Sequence, residues 1–154
     1  MGITRYNIVA RYFQSPDMDF ALTLRAKHRK AQKTSLLSPF CKKRVPLQWF
    51  FKSKYILSLT GNDTGSNFLM AANSNSVVLK EEDGWELFYS GEFRAWEHYI
   101  PLASGALDLE EKLAWARENQ AACIDMTRAA QDVCRQFASA EYRREYLSEI
   151  LANL

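Results

Sequence analysis

The sequence predicts a doubly wound α/β domain: a parallel sheet of about four strands, helices on both faces and a helical C-terminus. Three observations predict it. Residues 54–80 read as strand, Gly-rich turn, short helix and strand, which is the repeating unit of a parallel sheet. Short apolar runs of strand length alternate with helical patterns as far as Leu102, and right-handed crossovers would join them. From Asp108 onward, apolar residues recur at helical spacing alone.

Taken in order, Asn7 to Phe13 forms a helix with Ile8, Val9, Tyr12 and Phe13 on one face. Met18 to Thr23 alternates like a first strand. Ser38-Pro39 and Val45-Pro46 break the next stretch, and Pro46 opens a short helix over Leu47 to Lys52. Tyr55 to Leu59 is compact and apolar, a buried strand, and Ser76 to Leu79 is its β-branched successor. An aromatic helix follows over Trp85 to Tyr89, then a fourth strand over His98 to Leu102. Asp108 caps a helix with Glu111 three residues on, and Leu109, Leu113 and Ala116 share its inner face. Ile124, Ala130, Val133 and Phe137 mark a second helix. Ser139 caps a third, with Tyr142, Tyr146, Leu147, Ile150 and Leu151 at helical spacing.

At 154 residues, with 47% hydrophobic and 25% charged side chains, the chain suits one globular domain over residues 1–154. No apolar run approaches the ~20 residues that cross a bilayer, and Met1 to Arg5 opens no signal-peptide pattern. Cys41, Cys123 and Cys134 are an odd set without metal-ligand spacing, so they read as reduced thiols of a cytoplasmic protein, with a peripheral position at the inner membrane as an option. Net charge is only +2, yet residues 25–54 hold ten Lys or Arg and no acid. Such a block is either a solvated loop or the contact for an anionic partner: nucleic acid, an acidic lipid surface or a phosphorylated ligand.

The chemistry concentrates in Thr60 to Ser66. A Gly-rich turn between a strand and a helix start leaves backbone N–H groups unpaired where the helix dipole favours an anion, a geometry suited to a diphosphate. Gly61, Asn62, Thr64, Gly65 and Ser66 are the cradle candidates, with Asn67 beside them; Asp63 would repel phosphate and instead tie down the turn or meet a sugar hydroxyl. The plain alternative is a connecting turn with Ser66 as N-cap. Lys80 ends its strand on the edge where open α/β sheets place ligands, so it can pair a phosphate, and Glu86 can accept from ribose hydroxyls; both also serve as ordinary surface charge. His98 suits a general base but fits a structural place beside Tyr99 and Pro101 better. Trp85, Phe88, Tyr89, Phe93 and Trp96 read as a seal on the sheet edge, and Trp49, Phe50 and Phe51 as core first and interface second.

The wording of these elements resembles the C-terminal part of family 90 glycosyltransferases, the capsule-associated and lipopolysaccharide-modifying group that includes protein O-glucosyltransferases. Six blocks carry the resemblance, in order: Thr4 to Val9 with Asp17 to Phe20, Lys54-Tyr55 with its strand, Gly61-Asn62-Asp63 with Asn67 to Ala72, Ser74-Asn75-Ser76-Val77-Val78, Trp85 to Tyr89, and His98-Tyr99-Ile100-Pro101 with Asp108 to Leu113.

The resemblance implies the Rossmann-like, nucleotide-sugar-binding half of a GT-B-like enzyme. Such an enzyme moves a sugar from a UDP-sugar to lipopolysaccharide or another glycan, and the donor is a substrate rather than a cofactor. It also implies that the N-terminal domain bearing the acceptor site and an acidic base is absent, so that the chain alone is inactive unless a missing domain or partner chain completes it. No catalytic residue is assigned. Without an Asp-x-Asp cluster a metal-independent reaction fits better. The chain departs from relatives at Thr60, where many carry an acid, and at Asn67, near an Arg of eukaryotic members. The rival reading is a basic interaction module binding nucleic acid or anionic membrane through residues 25–54.

Overall fold

The computed structural model describes residues 3–23, 36–61 and 67–153. Three strands form one parallel sheet in the order of the chain: β1 (Tyr55–Ser58), β2 (Val77–Glu81) and β3 (Ile100–Leu102). Ile56 lies beside Val78 and Leu79 beside Ile100, so β2 is central and all three carboxyl ends share one edge.

Along β2 the side chains alternate between faces. Val77 and Leu79 enter one core with Ile8 and Tyr12 of helix α1 (Ile3–Tyr12) and Leu109 of α4 (Leu109–Glu118). Val78 joins Ile56 in a second core against Phe68, Ala71 and Ala72 of α3 (Phe68–Ala72). Helix α5 (Gln120–Ala138) serves both: Cys123 and Met126 belong to the first core, Ala130 and Val133 to the second. Two glutamines hold it to the amino ends of the strands. Gln120 Nε2 donates to the Tyr55 hydroxyl at 3.1 Å and Gln131 Nε2 to the Ser74 carbonyl at 2.8 Å. The short α2 (Leu47–Phe50) starts directly after Pro46, as a fixed φ favours. Helix α6 (Ala140–Ala152) starts at Ser139, whose hydroxyl accepts from the Tyr142 amide.

Several expectations fail for physical reasons. The expected strand over Met18 to Thr23 is irregular, with a single parallel bridge from Leu22 to Cys41; Met18 and Phe20 alternate because they pack on the first core. Three strands, rather than about four, are therefore seen among the described residues.

The aromatic helix over Trp85 to Tyr89 is absent. Asp83 Oδ1 accepts from the Trp85 amide in a local turn that competes with helix, and Gly84 holds φ at +72°. Trp85 and Phe88 are consequently exposed, as is Trp96, while Tyr89 and Phe93 do pack against Phe68.

Asp108 does not cap α4 through its side chain; its carboxylate accepts from the Ala103 amide instead. Ile124 points to solvent, and so do Leu147, Ile150 and Leu151 of α6. Trp49, Phe50 and Phe51 are exposed rather than core. All three cysteines are free thiols. Among the described residues no helix is long and apolar enough to cross a membrane.

Candidate functional site

A buried carboxylate organises the carboxyl edge of the sheet. Glu81, the last residue of β2, is only 4% exposed. Its Oε1 accepts from the Gly105 amide at 2.7 Å and the Thr4 hydroxyl at 3.1 Å, and its Oε2 from the Thr60 amide at 3.0 Å. A charged acceptor taken out of water needs such donors, and here they come from both flanking connections and from α1. Gly105 delivers its amide from a φ of +78°, which a residue with a Cβ adopts only under strain.

Arg5 completes the clamp. Its guanidinium donates to the Leu59 carbonyl at 2.8 Å and the Thr60 carbonyl at 3.1 Å, and a Cβ on Gly61 would stand 3.3 Å from Arg5 Nη2. The Thr60 hydroxyl donates to Asp83 Oδ2 at 3.1 Å. The Gly-rich turn thus departs from a point fixed on three sides. Asn62, Asp63, Thr64, Gly65 and Ser66 themselves lie outside the described residues.

The chain returns at Asn67, whose side chain reaches β1 rather than open space. Nδ2 donates to the Leu57 carbonyl at 2.9 Å, and Oδ1 accepts from the Ser58 hydroxyl at 3.2 Å. Asn67 therefore fixes the far end of the turn, and its side chain does not cap α3.

Beside it lies a small cleft of about 20 Å³, room for about one water molecule, lined by Ser58, Phe68, Lys80, Asp83, Trp85 and Tyr89, among others. The Lys80 ammonium lies 5.2 Å from the Tyr99 ring centroid and 5.9 Å from that of Phe68, an arrangement that favours a cation. It also pairs with Glu82 Oε1 at 3.3 Å, so a ligand phosphate at Lys80 competes with Glu82. Gly61 stands apart from this cleft, against Arg5 on the α1 side. Glu86 sits exposed in the loop after β2 and does not line the cleft. His98 is buried, and its Nδ1 accepts from the Arg94 amide at 2.9 Å; that is a structural place.

Sequence reasoning passed over Glu81, Arg5 and Thr4. One signal was available: the period of two that places Val77 and Leu79 inward places Glu81 inward too, and an acid there requires donors. Among the described residues, no three His, Cys, Asp or Glu side chains form a group able to hold a metal.

The Tyr99 phenol next to this site is pushed well above its ordinary value of 10.0, first by burial and then by its hydrogen bond to Glu82. A pKa raised on folding leaves stability intact below the unfolded value and erodes it as pH climbs past about 10. Tyr99→Phe is expected to flatten the alkaline loss of stability measured by urea unfolding between pH 9 and 11. A slope unchanged from the parent would show that this phenol does not govern it.

Compared with known proteins, the chain matches the family model for glycosyl transferase family 90 over residues 4–154. It is 36% identical over 70 residues to protein O-glucosyltransferase 3 of Rattus norvegicus, covering 46% of this chain and 14% of that protein. It is 30% identical over 108 residues to the O-glucosyltransferase LpsA of Dichelobacter nodosus, covering 70% of this chain and 34% of that one. Uncharacterized protein 179R of Invertebrate iridescent virus 6 is 24% identical over 99% of this chain, which corresponds to 13% of the viral protein. The chain therefore spans between about an eighth and a third of these relatives' lengths.

Proposed function

The chain belongs to glycosyltransferase family 90, and from that premise we propose that it is the nucleotide-sugar-binding, Rossmann-like half of a GT-B-like glycosyltransferase. Its donor is a UDP-sugar and its acceptor lipopolysaccharide or another glycan. The observation that carries this reading is the carboxyl edge of the sheet. There Arg5 holds the Leu59 and Thr60 carbonyls before the Gly-rich turn, Asn67 braces β1 after it, and a small hollow with a cation, Lys80, and aromatic walls lies close to Asn67. Open α/β sheets bind ligands at this edge.

In this reading the amides of residues 61–67 hold the diphosphate, Lys80 exchanges Glu82 for a phosphate oxygen, and exposed Trp85 offers a face for the base. In the reaction, an acceptor hydroxyl attacks the anomeric carbon as the bond to the nucleoside diphosphate breaks, and these groups stabilise the departing charge. Turnover further needs an acceptor held in line and a base within reach of its hydroxyl. We assign neither to this 154-residue chain.

Titration with UDP and UDP-glucose followed by NMR is expected to shift the amides of residues 61–67 and of Lys80, with a Kd on the order of 0.1–1 mM. UDP release in the presence of glycan acceptors should stay at background. Static amides at millimolar nucleotide would remove the site. Gly65→Val tests the turn itself, because a phosphate drawn against backbone leaves no room for a branched side chain. The variant should keep the parent's unfolding midpoint and lose the UDP shifts; normal binding would leave the turn as a connector.

A further inference from the structure

Residues 43–54 combine two features, exposed aromatic rings and unopposed cations. Leu47, Trp49, Phe50 and Phe51 are 56%, 51%, 43% and 43% exposed, a run of large apolar side chains in water on and just after α2. The same stretch carries Lys43, Arg44, Lys52 and Lys54, all exposed, and not one acid. Lys42, just before it, is paired with Asp19 and so contributes less.

The local geometry joins the two features. Arg44, Leu47 and Phe50 line one groove that continues to Arg5, Leu59 and Asn67, and the Lys52 ammonium lies 4.7 Å from the Trp49 ring centroid. Pro46 precedes the helix, none of whose residues is buried.

We propose that this surface docks on an anionic lipid bilayer. Tryptophan and phenylalanine favour the interfacial layer, where an apolar ring and a polar rim are both satisfied. Cations flanking such rings add attraction to acidic headgroups. The adjacency of Leu47, Phe50 and Phe51 decides between polyanions. Aliphatic and benzyl groups side by side form a wedge for acyl chains, whereas single-stranded nucleic acid takes spaced rings on which successive bases stack.

The test is cosedimentation of the whole chain with phosphatidylcholine vesicles, with and without phosphatidylglycerol, at two salt concentrations. Binding is expected only with phosphatidylglycerol and should weaken at high salt. The pair Trp49→Ser and Phe50→Ser should reduce partitioning about tenfold, and Lys52→Glu with Lys54→Glu at least as much. Both pairs alter exposed side chains, and circular dichroism should match the parent. Three outcomes overturn the proposal: no vesicle binding, vesicle binding that ignores the aromatic pair, or preference for a single-stranded oligonucleotide over the acidic vesicles.

Discussion

Glu81→Ala is expected to destabilise the fold by about 3–5 kcal/mol, because the Thr60 and Gly105 amides and the Thr4 hydroxyl lose one shared, buried acceptor. The carboxylate joins α1, the end of β1 and the connection after β3 at one point, so the loss is not local. Small domains hold only about 5–15 kcal/mol in all, and the alanine variant therefore sits close to unfolding. Glu81→Gln is the gentler probe. It keeps an acceptor for part of the set and turns an NH2 group towards a backbone amide, at a cost of about 1–3 kcal/mol. Urea unfolding gives both numbers. In the glutamine variant the amides of Thr60, Gly61 and Gly105 should shift, and the UDP response of residues 61–67 should weaken because the turn loses its anchor. An alanine variant within about 1 kcal/mol of the parent would mean that water replaces the carboxylate at little cost.

Why Glu81 escaped the reading of the sequence is instructive. Its donors come from positions 77, 21 and 24 residues away, and no local pattern contains them. What is local was legible. The 3.6-residue period of Leu109, Leu113 and Ala116 fixed the buried face of α4, and the apolar runs at Tyr55 and Val77 gave two parallel strands.

Misreadings arose where one pattern has two physical causes. Met18 and Phe20 alternate without a strand because both pack on a core, and the rings from Trp85 to Tyr89 looked helical while Asp83 and Gly84 had already turned the chain. Asn67, Lys80 and Glu86 could be named as candidates from the sequence. That Asn67 braces β1, that Lys80 holds Glu82 and that Glu86 misses the cleft are facts of packing.

Phe68→Ala is expected to cost about 3–5 kcal/mol, the range for truncating a buried phenylalanine. Phe68 is 3% exposed, and three rings surround it: Phe93 and Tyr99 edge-on at 4.9 and 5.6 Å, and Tyr89 stacked at 6.2 Å. Each such pair adds about 0.5–1.5 kcal/mol beyond simple burial. The residue also opens α3 directly after Asn67, so its ring sets where the Gly-rich turn re-enters the fold. It further forms one wall of the cleft, 5.9 Å from the Lys80 ammonium. With the ring gone, Lys80 loses one aromatic face and the cleft its floor.

Phe68→Leu separates the two roles. It refills most of the volume, should cost about 1–2 kcal/mol, and removes the Phe68 π-face beside Lys80 while leaving that of Tyr99. If Lys80 grips the nucleotide from that face, the leucine variant stays folded by urea titration while its UDP-induced shifts at Lys80 shrink. Undiminished shifts in a folded leucine variant would confine Phe68 to the core and leave the placement of Lys80 to Tyr99 and Glu82.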